Sequence, residues 1–133
     1  MQLATERNHQ PWIATVYFVA DDENNLYWLS WPERRHSKEL AENIRAAIAI
    51  PIQTEQPVIG IQAEGTVEVV RDVNIVEQIM PSYITKYGQG TEFAARFKAG
   101  TAKHALYKFT PEQFVLFDEL HFPGDARQEI SLH

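Results

Sequence analysis

Arg34, Arg35, His36 and Lys38 crowd into five residues of the segment SWPERRHSKEL, residues 30–40. Two guanidinium groups present flat forks of donors that match a phosphate, and an imidazole titrates near neutrality. The same segment reads as a helix start. Ser30 and Glu33 have the S-x-x-E spacing of a capping box, and Pro32 suits a first helical turn. A helix N-terminus carries partial positive charge, so cations are disfavoured there unless an anion is to be held. With the Ser30 hydroxyl, the cluster is a candidate phosphate site. A solvated face is the competing reading: Arg35–Glu39 and Lys38–Glu42 have the i,i+4 spacing of weak ion pairs, and Ser30 then only caps its own helix.

Other residue types offer less. The histidines at 9, 36, 104, 121 and 133 show no metal-ligand spacing, so no metal site is expected. Glu64 and Glu68 share a strand face, with nothing beside them to assign an acid–base role. The chain has no Gly-rich phosphate loop and no nucleophile-elbow serine. Trp12, Trp28 and Trp31 serve either as core or as an aromatic wall for a flat cofactor. There is no cysteine, which excludes disulfides and thiolate chemistry. A net charge of −6 argues against nucleic-acid and anionic membrane partners but leaves room for a local basic pocket. The N-terminal stretch lacks an apolar signal core, and no apolar run approaches a membrane span, so a cytoplasmic protein is expected.

The elements that would position these residues follow from pattern. At 133 residues the chain predicts one domain, residues 1–133. PWIATVYFVA, residues 11–20, is expected as a strand apolar on both faces, hence covered on both sides. The polar turn DDENN leads into a return strand, LYWLSW, and a hairpin. A helix is expected over residues 33–46, with Leu40 and Ile44 on its apolar stripe. Residues 46–53 form a further strand. VIGIQAEGTVEVV alternates cleanly, with Ile59, Ile61, Ala63, Val67 and Val69 facing one way and Gln62, Glu64 and Glu68 the other. Gly60 and Gly65 signal a bulge or a close backbone approach. A helix over residues 73–87 should be kinked or split at Pro81, and a short helix follows near residues 91–98. KHALYKFTPEQFVLFD should close as two strands about a Thr110–Pro111 turn, before an irregular tail. Mostly hairpin-linked strands, about six of them, with two or three helices predict a small antiparallel barrel with helices outside.

The order ATVYF, acidic turn, LYWLS, ERRHSKELAENIRAAIAI and then PVIGIQAEGTVEVV resembles the FMN-binding split-barrel superfamily of pyridoxamine 5′-phosphate oxidase-like proteins. The likeness is most specific over residues 11–70. FTPEQFVLFD and the RQE of residues 127–129 are also similar. It implies a mainly β fold, a six-stranded antiparallel split β-barrel with flanking helices, in a homodimer with FMN between the subunits. It implies that Leu29 and Ser30 contact the ribityl–phosphate part, and that Arg35 and His36 stand for the phosphate-holding Arg-Lys pair, with His replacing Lys. Arg34 takes the place of the serine before that pair. The backbone of Thr15 and Val16 would line the isoalloxazine ring, and Gln62 would be the polar strand residue near the flavin. The oxidase itself carries an Arg and a Lys on its first strand, where Ala14 and Val19 stand here, and it ends in an Arg-Leu-His substrate motif that is absent. The chain is therefore not read as the vitamin B6 enzyme. The resemblance implies an FMN-dependent oxidoreductase taking electrons from NAD(P)H for a small acceptor. Two other classes stay open: a non-catalytic binder or sequesterer of flavin, heme or deazaflavin, and an interaction module with an empty cleft.

Overall fold

In the computed structural model, residues 1–132 are described; the last of the five histidines, His133, lies outside the described residues. The N-terminal residues already form a strand, β1 (Gln2–Arg7), paired antiparallel with β2 (Gln10–Thr15). Asn8 and His9 between them both take positive φ. A two-residue hairpin turn demands that conformation twice, and asparagine accepts it more readily than most residues. Because Asn-His replaces the more telling Asn-Gly, β1 is not among the strands that the sequence pattern announces. Leu3 and Thr5 point inward from it and are buried.

The expected single strand over residues 11–20 is two strands. β2 stops at Thr15, and β3 (Val19–Ala20) lies at the opposite end of the sheet order β2-β1-β5-β6-β7-β4-β3. Residues 16–18 thus carry the chain from one edge of the sheet to the other, which requires the sheet to curl. The link is anchored by hydrogen bonds. Val16 N–H donates to the Met1 carbonyl. The Tyr87 hydroxyl accepts from Phe18 N–H, and Lys86 Nζ donates to the Phe18 carbonyl. β4 (Leu26–Ser30) returns from the turn, where the Asp21 carboxylate accepts from Glu23 N–H, Asn25 N–H and the Tyr27 hydroxyl.

α1 (Arg35–Glu42) is shorter than expected at both ends. Arg34 is its N-cap, and no side chain caps it, so the Ser30–Glu33 capping box does not form. The chain leaves the helix at Asn43, so Ile44 is exposed and Arg45 opens β5 (Arg45–Gln53). β6 (Ile59–Val69) follows, with Ala63 and Val67 buried and Gln62, Glu64 and Glu68 exposed, as its alternation predicts. α2 (Val73–Tyr87) runs through Pro81 as one helix. Pro81 is on the exposed face, where water can serve the carbonyl it leaves unpaired, while Val76, Ile79, Met80 and Tyr83 hold the other face down. α3 (Phe93–Ala99) packs beside it.

β7 (Ala105–Asp118) is one strand of 14 residues, not two strands about a turn. β6 pairs along one edge of it. On the other edge β4 pairs with residues 105–109 and β8 (Arg127–Ser131) with residues 113–117. Pro111 falls between those two partners, where its missing N–H is not needed. The tail expected to be irregular thus contributes β8, and the antiparallel sheet has eight strands, not six, and is not closed.

Curling gives two cores. Leu3, Trp28, Ile48, Ala63 and Phe109 fill the inside, with Leu40 of α1 at one end. Val19, Tyr27, Val70, Leu106 and the buried face of α2 make a second cluster on the outside. Among the described residues, no helix is long and apolar enough to cross a membrane.

Gly65 sits at a register shift in β6, and a Cβ built there would lie 2.1 Å from the Thr110 carbonyl oxygen and 2.9 Å from Pro111 Cα. Gly60 has its nearest neighbour at an ordinary 3.7 Å. In urea unfolding, Gly65→Ala is expected to lose about 1–3 kcal/mol or more, because backbone cannot step aside, whereas Gly60→Ala should stay within about 1 kcal/mol of the parent.

Candidate functional site

The site is built where β4 ends and α1 begins. After Trp31 the chain turns at Pro32 and Glu33, and α1 then starts with its first N–H groups uncapped by any side chain and no acidic residue in its first turn. Such a terminus favours an anion. Arg34, Arg35 and Lys38 are exposed around it.

Ser30 and His36 come together inside this corner. Both are buried, and Ser30 Oγ lies 2.7 Å from His36 Nε2. Burial holds the His36 pKa below its ordinary value of 6.5, Arg34 pushes it the same way, and Glu39 opposes them. The resting imidazole is therefore neutral at pH 7. Ser37, in the same helical turn, has a buried hydroxyl without a hydrogen-bond partner.

Arg35 takes a different route. Its Nε donates to Glu39 Oε2 at 2.8 Å, and its guanidinium carbon stands 4.1 Å from the Trp12 ring centroid. This is the i,i+4 pair of the competing reading, though with a buried carboxylate. Glu39 also accepts from Thr5 Oγ1 at 2.8 Å, and the Arg35 hydrogen bond is the main reason its pKa lies below the carboxylate norm. The three tryptophans have separate roles. Trp28 is fully buried and stacked on Tyr107, Trp12 underlies Arg35, and Trp31 donates from Nε1 to His104 Nε2.

The remaining sequence candidates lie elsewhere. Thr15 and Gln62 share one cross-strand row: Thr15 opposes Gln2, Gln2 opposes Ala49, Ala49 opposes Gln62 and Gln62 opposes Val115. Three strand spacings separate Thr15 from Gln62, about 14 Å. The adjacent row, Leu3, Ile48, Ala63 and Phe114, faces the inner core, so the Thr15–Gln62 row faces outward. A shallow cavity of about 430 Å³ opens there, floored by Ala4, Ala47 and Ala49 and rimmed by Gln2, Gln62, Glu64, Gln113 and Arg127. The Val16 N–H is already taken by Met1, and the Val16 side chain packs against the inner core. Leu29 lines a second cavity of about 390 Å³ between β4 and the α2–α3 region, with Tyr17, Tyr83, Phe93, Arg96 and His104. Within one chain, then, Ser30 and His36 meet, Thr15 and Gln62 share a face, and Leu29 and Arg35 line other clefts. Val19, where the oxidase pattern has a lysine, is buried in the outer core. Gln2 and Arg127 are cavity residues that the sequence reading did not single out. Both lie on strands without a clear pattern, and their positions depend on pairing alone.

Burial of a neutral histidine has a thermodynamic sign. The unfolded chain binds that proton more readily, so stability is lost as pH falls below 6.5. His104, whose pKa is also lowered by burial and by Arg96, acts in the same direction. Thermal melts from about pH 8 down to about pH 5 should therefore show Tm falling, and His36→Gln should remove part of that slope while leaving the part due to His104.

The model of a sequence family described as pyridoxamine 5′-phosphate oxidase matches residues 1–117. Comparison with curated proteins found no match. Among solved structures, the fold is similar to that of a heme binding protein from Mycobacterium smegmatis, with a TM-score of 0.75 at 14% identity over 98% of this chain and 52% of that one. A NimC/NimA family protein from Clostridium acetobutylicum has a TM-score of 0.71 at 18% identity, over 98% and 81% of the two chains. HutZ, the heme storage protein of Vibrio cholerae, has a TM-score of 0.68 at 21% identity, over 88% and 83%. At these identities the structural likeness speaks to fold alone.

Proposed function

This chain belongs to the pyridoxamine 5′-phosphate oxidase family, and from that premise we propose that it binds FMN as a homodimer and works as an FMN-dependent oxidoreductase other than the vitamin B6 enzyme. The observation that carries this reading is the uncapped, cation-rich start of α1, with Ser30 and His36 joined beneath it. These residues fit a phosphate: free N–H groups, a hydroxyl and an imidazole meet at one corner with the exposed Arg34 beside it, the first turn holds no carboxylate to repel it, and Arg35 would have to turn from Glu39 to join them.

In this reading Ser30, Arg34, Arg35 and His36 hold the phosphate, and Leu29 lies against the ribityl chain. The outward face that carries Thr15, Gln2 and Gln62 supports the ring, with Ala4, Ala47 and Ala49 of its cavity leaving room for a flat surface and the two amides offering hydrogen bonds. A second protomer would complete the cleft, covering the exposed apolar surface of this face, Ile13 above all. Bound FMN supplies hydride and electron transfer, and the protein supplies binding, orientation and exclusion of water. NAD(P)H is the donor this scheme calls for. Without a cation at Ala14 or Val19, the grip on the phosphate falls to the α1 corner.

A second reading, a heme-binding protein without turnover, is favoured by the likeness to the two heme proteins and by the aromatic cavity beside His104. The pKa of that imidazole is lowered by partial burial and by Arg96, and to ligate a metal its Nε2 would have to release the Trp31 N–H.

The test is the visible spectrum of the purified protein after addition of FMN and desalting. A retained flavin spectrum, bleached by NADH or NADPH, is the expected result; a Soret band after heme addition with no flavin retained would replace it with the second reading. Arg35→Ala combined with His36→Ala removes two charge-assisted contacts of about 1.5–3 kcal/mol each, so FMN affinity should fall more than tenfold by fluorescence titration. Light scattering should give the mass of a dimer at micromolar concentration, and a monomer would count against the shared cleft.

A further inference from the structure

His36 stands where the family's pair has a lysine, and a lysine would be charged on arrival of the ligand. A buried imidazole bonded to a serine is not. The charges acting on its ring are Arg34 at the N-cap and Glu39 one turn on, and they oppose each other. From β4 the ring meets the Ser30 hydroxyl. The groups that β1 and β2 bring to α1 address other atoms: Thr5 and Arg7 act on Glu39, and Trp12 lies under Arg35. The resting corner thus has cations outside and an uncharged Ser30–His36 pair inside.

We propose that the Ser30–His36 pair is a proton-coupled phosphate clamp, in which the anion draws a proton onto His36 and is held through the Ser30 hydroxyl. The inference rests on the FMN reading and adds to it that binding takes up a proton from solvent. No bond between heavy atoms forms or breaks; one proton leaves hydronium or a buffer acid in solvent, and an N–H bond forms on the His36 ring. With Nε2–H donating to Ser30 Oγ, the hydroxyl hydrogen is free to point at the phosphate, and Nδ1 takes the incoming proton. A dianion at the α1 corner adds negative charge to that of Glu39, and so reverses the balance that keeps the ring neutral. Burial keeps the ring uncharged at rest, and in the lower dielectric of a buried site a charge brought beside it acts more strongly than in water. His36 is a positioning residue in this scheme, acting on the ligand through Ser30.

The sign of the pH dependence separates the clamp from simple attraction. The phosphate of FMN gains its second charge near pH 6, so a permanent cation should hold it more tightly as pH rises. A clamp that must first be protonated should do the reverse. FMN affinity of the wild-type chain and of His36→Lys is therefore measured at about pH 6 and about pH 8 by flavin fluorescence, with riboflavin, which has no phosphate, as the control. The wild type is expected to lose about tenfold in affinity relative to the lysine variant over that range, with riboflavin flat in both. Calorimetry at about pH 7.5 in buffers of different ionisation enthalpy should show net proton uptake by the wild type and none by His36→Lys. Ser30→Ala should weaken FMN and flatten the pH slope; an unchanged slope overturns the part played by Ser30. Should the lysine variant not fold, the His36 ring signals of the wild type in NMR answer the same question: the apparent pKa should rise with FMN bound and stay put with riboflavin. Parallel pH profiles in wild type and variant, or a His36 pKa unmoved by FMN, overturn the clamp while leaving FMN binding intact. No FMN binding at any pH overturns the FMN reading and the clamp with it.

Discussion

Residues 16–18 leave β2 at one edge of the sheet and deliver the chain to β3 at the other. A flat sheet of this width could not be spanned by three residues, since an extended chain covers at most about 3.5 Å per residue. The sheet must curl until its edges approach, and the features of the molecule that matter for a site follow from that curl. It makes an inside, filled by Trp28, Phe109 and Leu3, and it makes two outsides, one covered by α2 and one left open. Lys86 and Tyr87 of α2 hold Phe18 by its backbone, so the crossing and the outer helix support each other.

The curl also explains why β7 is long and continuous. One strand has to serve β6 along one edge and two successive partners, β4 and β8, along the other. Pro111 sits at the change of partner, and opposite it Gly65 lets the backbones approach more closely than a side chain would allow. Two residues that look like breakers in a linear reading are what let the strand bend without losing its pairing. The open outer face, lined with alanines and glutamines, is the other product of this arrangement, and so is the corner where α1 plugs the end of the barrel with Leu40.

At that corner the cations have different environments despite their adjacency in sequence. Arg35 is committed to the buried Glu39 and to Trp12, Arg34 and Lys38 stay in solvent, and His36 turns inward to Ser30. The helical period of 3.6 residues is enough to do this: neighbours in the chain point about 100° apart, so one faces water while the next faces the core. A chain with net charge −6 keeps these cations here with no acid in the first turn of the helix, the feature on which the proposed anion site rests.

How much of this was legible in the sequence can be told from individual elements. The alternation of residues 59–69 and the apolar stripe of α2 were readable because burial on one face leaves a period in the sequence. The resemblance to the split-barrel family was legible too, since it rests on residue types in order. β1 and β8 were not legible: QLATER and RQEIS carry little β propensity, and they are strands because a partner edge needed covering. The capping box between Ser30 and Glu33 was a sound local pattern that lost to a tertiary one, because the buried His36 offered Ser30 a better partner than its own helix. The sequence by itself thus determined the fold class and an acidic chain with one basic cluster at a helix start. The tertiary structure alone decided that Thr15 and Gln62 share a row through Gln2, that the Glu39 carboxylate paired with Arg35 is buried, and that Ser30 meets His36. The physical reason is that composition and period act along the chain, whereas register, burial and the protonation of a histidine depend on neighbours brought in from afar.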